Sequence, residues 1–169
     1  MDIDGVCNLA PFSFFNGVGA NPPTVMFCPA NRHDGTPKDS HANILRTGQF
    51  VVNIVTEEMA EAMNKTSSEL KPDEDEFQWA GLAKADSLVV KPPRVAMAAA
   101  AMECELHSAI TLGAGPGGGN LIIGRIVQLH VDDQYLDGET LAIDRLHTVG
   151  RMGGADYVRT SDRFTLDRP

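Results

Sequence analysis

A mainly β chain with a few short helices, folded as an antiparallel barrel, is what the sequence predicts, and three observations carry that prediction. Its apolar runs are short and rich in β-branched residues. Gly and Pro punctuate them throughout, 16 and 10 residues respectively in a chain of 169. No glycine-rich strand-to-helix turn of the kind that opens a doubly wound nucleotide fold is present.

The strand candidates come in order. Val6 to Ala10 and Thr24 to Ala30 are apolar runs bounded by Gly, Asn and Pro. Gln49 to Val55 reads QFVVNIV and follows Gly48 directly. Leu88 to Lys91, Ala98 to Ile110 and Asn120 to Val131 complete the set. In the last of these the alternation slips at Gly124 and Arg125, which predicts a bulge.

Helix signals are brief. Asp39 or Ser40 is suited to cap a helix through Arg46, with Gly48 ending it. Thr56 is suited to cap Glu57 to Asn64, whose first-turn glutamates favour the positive end of the helix dipole. Lys71 to Glu76 is polar and acidic and reads as an exposed loop ahead of Phe77 and Trp79. Ile143 to His147 reads as a last short helix before a turn at Gly153 and Gly154.

One domain over residues 1–169 accounts for the length, and there is no internal repeat or linker. The 14 basic against 23 acidic residues, net −9, exclude a broad basic face for nucleic acid, though one phosphate needs far less. No apolar run reaches the roughly 20 residues that cross a bilayer. The acidic start, Met-Asp-Ile-Asp-Gly, does not resemble a secretory signal. Cys7, Cys28 and Cys104 are odd in number, far apart and set among apolar residues. They read as buried free thiols in a reducing compartment, so the expected location is cytoplasmic. No Cys or His pair has metal-ligand spacing.

Two segments carry chemistry. Asn8 to Gly17 places Pro11 where it removes a ladder donor, next to Ser13, Asn8, Asn16 and several Phe rings. A planar heterocycle suits that mixture of polar groups and flat apolar surface. A strand ending in a polar turn, with Phe12, Phe14 and Phe15 in the core, is the alternative. Asn31 to Ser40 ends at the expected helix start, where free backbone N–H groups attract anions, with Arg32, Lys38 and Ser40 alongside. A phosphate monoester would be held there; a solvated loop with a simple cap is the alternative. The run Ala114 to Asn120, with four Gly and a Pro, lacks the Lys-Ser or Lys-Thr ending of a phosphate loop and reads as a hairpin connection. His41, His107, His130 and His147 are scattered, and no catalytic triad can be assigned from spacing.

The words NLAPFSFFNGVGANPPTVMF, KDSHANILRTGQFVVNIVTEEMAEAMNKTS, EFQWAGL, VKPPRVAMAAAAMECEL and RMGGADYVRT, in that order, resemble the flavin-reductase-like, FMN-binding split-barrel family. The resemblance spans nearly the whole chain. It implies a six-stranded antiparallel Greek-key barrel that homodimerises, with FMN in a groove at or near the subunit interface. It implies that Asn8, Ala10, Pro11, Phe12 and Ser13 line the flavin ring and ribityl chain, and that Lys38, Asp39 and Ser40 surround the phosphate. Cys28 stands near the cofactor where many relatives have a small hydroxyl residue. Arg151 and Tyr157 fall near the nicotinamide or the second subunit. Relatives carry a strand before the Asp-Gly turn with which this chain starts, at Asp4 and Gly5, so the first barrel strand is expected to be missing.

The implied activity is NADH- or NADPH-dependent reduction of FMN, with electrons passed on to a partner such as a flavin-dependent monooxygenase. In that chemistry the flavin carries the hydride and no side-chain acid or base is needed. An FMN-binding electron carrier or sensor, and a cofactor-free dimeric scaffold, are the alternatives.

Overall fold

The computed structural model describes residues 1–169. Its main element is a five-stranded antiparallel sheet built from β1 (Phe15–Ala20), β2 (Pro23–Phe27), β3 (Gln49–Asn53), β6 (Ala100–Thr111) and β7 (Asn120–Val131). In space the strands run β1-β2-β7-β6-β3. Two-residue strands β4 (Lys84–Ala85) and β5 (Arg94–Val95) pair with each other, as do β8 (Leu136–Asp137) and β9 (Thr140–Leu141). A C-terminal hairpin joins β10 (Val149–Gly153) to β11 (Asp156–Arg159). The three helices are short: α1 (Asp39–Thr47), α2 (Ala60–Lys65) and α3 (Glu76–Ala80). None is long and apolar enough to cross a membrane. The main sheet thus has one strand fewer than the six that the family resemblance implies.

Packing shows that this sheet curls on itself. β2 and β3 lie three ladder intervals apart, about 14 Å in a flat sheet. Yet Phe27 on β2 and Phe50 on β3 bring their ring centroids to 5.4 Å. Curling encloses Val25, Phe27, Ile44, Phe50, Cys104 and Ile122. Gly124 makes the closure possible, because a Cβ there would sit 2.3 Å from Phe50 Cζ. The predicted irregularity in β7 is real but displaced. Along the β6–β7 ladder, Val127 and His107 are the extra residues, on either side of the Gly124 region. A second cluster, Cys7, Met59, Phe77, Ala80, Leu82 and Val95, packs α2 and α3 beneath the N-terminal segment.

Several sequence expectations need correction. Val6 to Ala10 is not a strand, and neither is Leu88 to Lys91. In the latter, the N–H groups of Leu88, Val89 and Val90 all donate to the buried carboxylate of Glu103, at 2.7, 2.7 and 2.9 Å. Neither Asp39 nor Ser40 caps α1; Lys38 holds the cap position, with no side-chain bond to the helix. α2 begins at Ala60 rather than Glu57, because Thr56 is held in an antiparallel bridge with Thr148. Ile143 to His147 is a turn. Lys71 to Glu76 is not wholly exposed either, for Glu76 opens α3 and is buried. Cys28 is half-buried, whereas Cys7 and Cys104 are buried, and all three thiols are free.

Candidate functional site

A cleft of about 770 Å³ opens beside β3, at the upper end of the range for small-molecule sites. β3 is an edge strand, bonded only to β6. Gly48 O accepts from Leu106 and the Ile54 N–H donates to Ala100, so the even-numbered peptide groups face β6. Antiparallel alternation then turns those of Val51 and Asn53 away from β6, available to a bound molecule. Further parts of the wall come from Asn8–Ser13, α1, α2 and the residues flanking it, the Pro92–Pro93 turn and the C-terminal hairpin.

The N-terminal wall is held by a polar chain centred on the buried Glu76. Glu76 Oε1 accepts from Asn8 Nδ2 at 3.0 Å, and Oε2 accepts from the Leu9 N–H at 2.9 Å. The Ser40 hydroxyl donates to Asn8 Oδ1 at 2.6 Å, tying α1 to the same chain. Asp75 starts α3 by accepting from the Phe77 N–H at 2.9 Å, which fixes where Glu76 stands. Beyond Pro11, Phe12 packs on Phe27 with centroids 5.0 Å apart, joining this wall to the barrel core.

Of the residues singled out in the sequence, Asn8, Ala10, Pro11, Phe12, Ser13 and Ser40 come together on this cleft. Lys38 stands just behind, its ammonium 5.9 Å from the Phe12 ring centroid. Asp39 is engaged with Arg32 at 2.5 Å, and Arg32 also donates to the Pro37 carbonyl. Cys28 does not line the cleft. Its sulfur packs against Gly119, where a Cβ would lie 3.1 Å from it. Arg151 and Tyr157 do line it. Sequence reading missed Glu76, which sits in an acidic run that looks solvated, and the free edge of β3, which depends on strand order.

The cleft is electrically plain. Of its 37 lining residues, Arg151 is the only one with a charged side chain, and none is Asp, Glu, His or Lys. His41 lies nearby on α1, buried, with Nδ1 unpartnered; burial pushes its pKa below the usual imidazole value. It does not reach the cleft. No cluster of His, Cys, Asp and Glu could hold a metal ion.

The model of the flavin reductase like domain matches residues 3–149, most of the chain. This protein belongs to that family. A Halalkalibacterium halodurans protein is 38% identical over 168 residues, covering 98% of this chain and 80% of its own. Nitrilotriacetate monooxygenase component B from Bacillus cereus superposes with a TM-score of 0.92 at 35% identity, over 98% of this chain and 83% of that one. A split-barrel protein from Shewanella frigidimarina superposes at 0.87 with 26% identity, over 100% and 82%. Family and fold agree: this is a mainly β split barrel of the flavin-reductase type.

Proposed function

We propose that the cleft binds FMN and that the protein is an NAD(P)H-dependent flavin reductase. The observation that carries this reading is the absence of any acidic, His or Lys side chain from the cleft wall. Such a wall offers none of the carboxylates, imidazoles or amines on side chains that most often serve as general acid or base. It suits a reaction whose chemistry a cofactor supplies. When bound, the flavin accepts the hydride and supplies the redox step, while the protein positions the reactants.

The residues present fit that group. The outward peptide groups of Val51 and Asn53 are suited to the polar rim of a flat heterocycle, and Pro11 and Phe12 to its apolar face. Ser13 and Ser40 supply hydroxyls along the chain that follows the ring. Lys38 and the N-terminus of α1 are suited to the phosphate, with Asp39 committed to Arg32. Glu76 holds the Asn8–Ser13 wall in place, and the hairpin lines another side of the cleft.

Electrons then pass to a flavin-dependent monooxygenase partner, a reading supported by the likeness to a monooxygenase component B. Homodimerisation is part of the proposal. β1 is an open sheet edge, exposed along its length, with Phe15 and Val18 on it and Phe14 just ahead. A cytoplasmic site of action suits the free thiols.

The test is an anaerobic absorbance spectrum of the purified protein with FMN, before and after NADH or NADPH. Flavin bands that bleach with either donor are the expected result. A flavin that binds and bleaches with neither would leave the electron-carrier reading in its place.

A further inference from the structure

The C-terminal hairpin brings the cleft its one charged side chain. Arg151 and Tyr157 are directly opposed in the β10–β11 register, so their side chains share one face of the hairpin. Both line the cleft. The Arg151 guanidinium is oriented rather than loose: Nε and Nη2 both donate to the Gly154 carbonyl, at 3.3 and 2.9 Å. Its Nη1 has no partner in the protein. Gly154 and Ala155, at the turn beside it, are small and line the cleft as well.

The hairpin is anchored at its base and free at its tip. The Val149 N–H donates to the Val55 carbonyl at 3.3 Å, and the Glu57 N–H donates to the His147 carbonyl at 2.8 Å. Arg159 pairs with Glu57 at 2.6 Å. Arg151 therefore projects from a wall hung on the end of β3, well separated in sequence from the Lys38 region proposed for the flavin phosphate. A chain of net charge −9 repels an anionic ligand at long range. One fixed guanidinium with a free donor offsets that repulsion locally and recognises phosphate oxygens directly.

We propose that Arg151 is a specificity-determining residue that recognises the phosphate oxygens of the nicotinamide dinucleotide donor, with Tyr157 flanking it as an apolar platform. The proposal rests on the reductase reading above. It makes the hairpin the reader of the second ligand, distinct from the walls that hold the flavin.

The test compares wild type, Arg151→Gln and Arg151→Lys, each loaded with FMN, using two hydride donors. NADH carries phosphates; N-benzyl-dihydronicotinamide does not. For Arg151→Gln the expected result is a KM for NADH raised about tenfold, as for loss of a charge-assisted bond. The KM for the benzyl donor should stay unchanged, and Arg151→Lys should recover part of the loss. FMN and riboflavin titrations of each protein complete the set. Equal losses with both donors, or none with either, would overturn the assignment. So would weakened binding of FMN with riboflavin unaffected, which would put Arg151 on the flavin phosphate, or a change in oligomeric state by sedimentation. A wild-type flavin reduced by neither donor would instead overturn the reductase reading, and the proposal with it.

Discussion

Replacing Glu76 with Ala tests the polar chain that holds the N-terminal wall. Glu76 is 6% exposed and accepts from Asn8 Nδ2 and the Leu9 N–H. Alanine removes the acceptor of both donors, which are part-buried. A fully buried unsatisfied donor costs about 1–3 kcal/mol, so two part-buried ones take the low end, about 2 kcal/mol together. At a urea m-value of about 2 kcal/mol/M the midpoint falls by about 1 M. Glu76→Gln is the informative control. Its amide oxygen can still accept from Leu9. If Asn8 flips its amide, Asn8 Oδ1 accepts from the new glutamine and Asn8 Nδ2 donates to Ser40 Oγ, so every group keeps a partner. Only charge assistance is lost, and the cost should stay near 1 kcal/mol. Urea unfolding followed by tryptophan fluorescence (Trp79 lies in the same helix) measures both. FMN affinity should fall with stability in the alanine variant and hold in the glutamine one. Equal unfolding midpoints for wild type and Glu76→Ala would refute the argument.

Other expectations concern the core, the pH response, the thiols and the cofactor. Gly124→Ala forces a methyl into the Phe50 ring and should destabilise by about 1–3 kcal/mol, read from the same urea curves. An unchanged midpoint would mean Phe50 has another place to go. Burial pushes Glu103 up, but the Leu88, Val90 and Val89 N–H groups and His130 outweigh it and hold its pKa at about 2, below its ordinary 4.5. Its contribution is therefore fully present above about pH 5 and lost as pH falls toward 2. Glu103→Gln should flatten the stability profile in that window. Burial, with the Glu103 charge second, pushes the Cys104 thiol up to about 12. In native protein at pH 8, iodoacetamide should spare Cys104 and react first with half-buried Cys28, by peptide mass mapping. Ser13→Ala combined with Lys38→Ala should weaken FMN retention on gel filtration while the circular dichroism spectrum stays unchanged; undiminished retention would refute the assigned pocket.

The long, strongly patterned elements were legible in the sequence. Gln49 to Val55, Ala98 to Ile110 and Asn120 to Val131 match β3, β6 and β7 to within two residues. The stop at Gly48 holds too, since its φ of 70° is the left-handed conformation that ends α1. What was hidden depended on partners distant in sequence. Local periodicity does not reveal that β3 ends up as an edge strand, because that depends on β6 pairing with β7 on its other side. For the site, the segment from Asn8 to Ser13 and Ser40 drew notice through local chemistry, whereas Glu76 lies 68 residues from Asn8.

The two segments misread as strands share one physical cause. Val6 to Ala10 and Leu88 to Lys91 have strand-like apolar residues, but each has a distant buried carboxylate accepting its N–H groups. Glu76 takes the Leu9 N–H and the Asn8 amide, and Glu103 takes three successive N–H groups. In a sheet those donors would pair with a neighbouring strand, and the adjoining residues would be covered by it. A carboxylate occupies far less space than a strand. It satisfies two or three donors from behind and leaves the following residues uncovered. Those residues, Ala10 to Ser13 after one anchor and Pro92 and Pro93 after the other, line the cleft. The buried acids thus fix these two segments while leaving the cleft open beside β3. That also explains how a wall without acidic side chains can be organised by carboxylates, since neither lines the cleft and both accept from the backbone and side-chain donors of neighbouring segments.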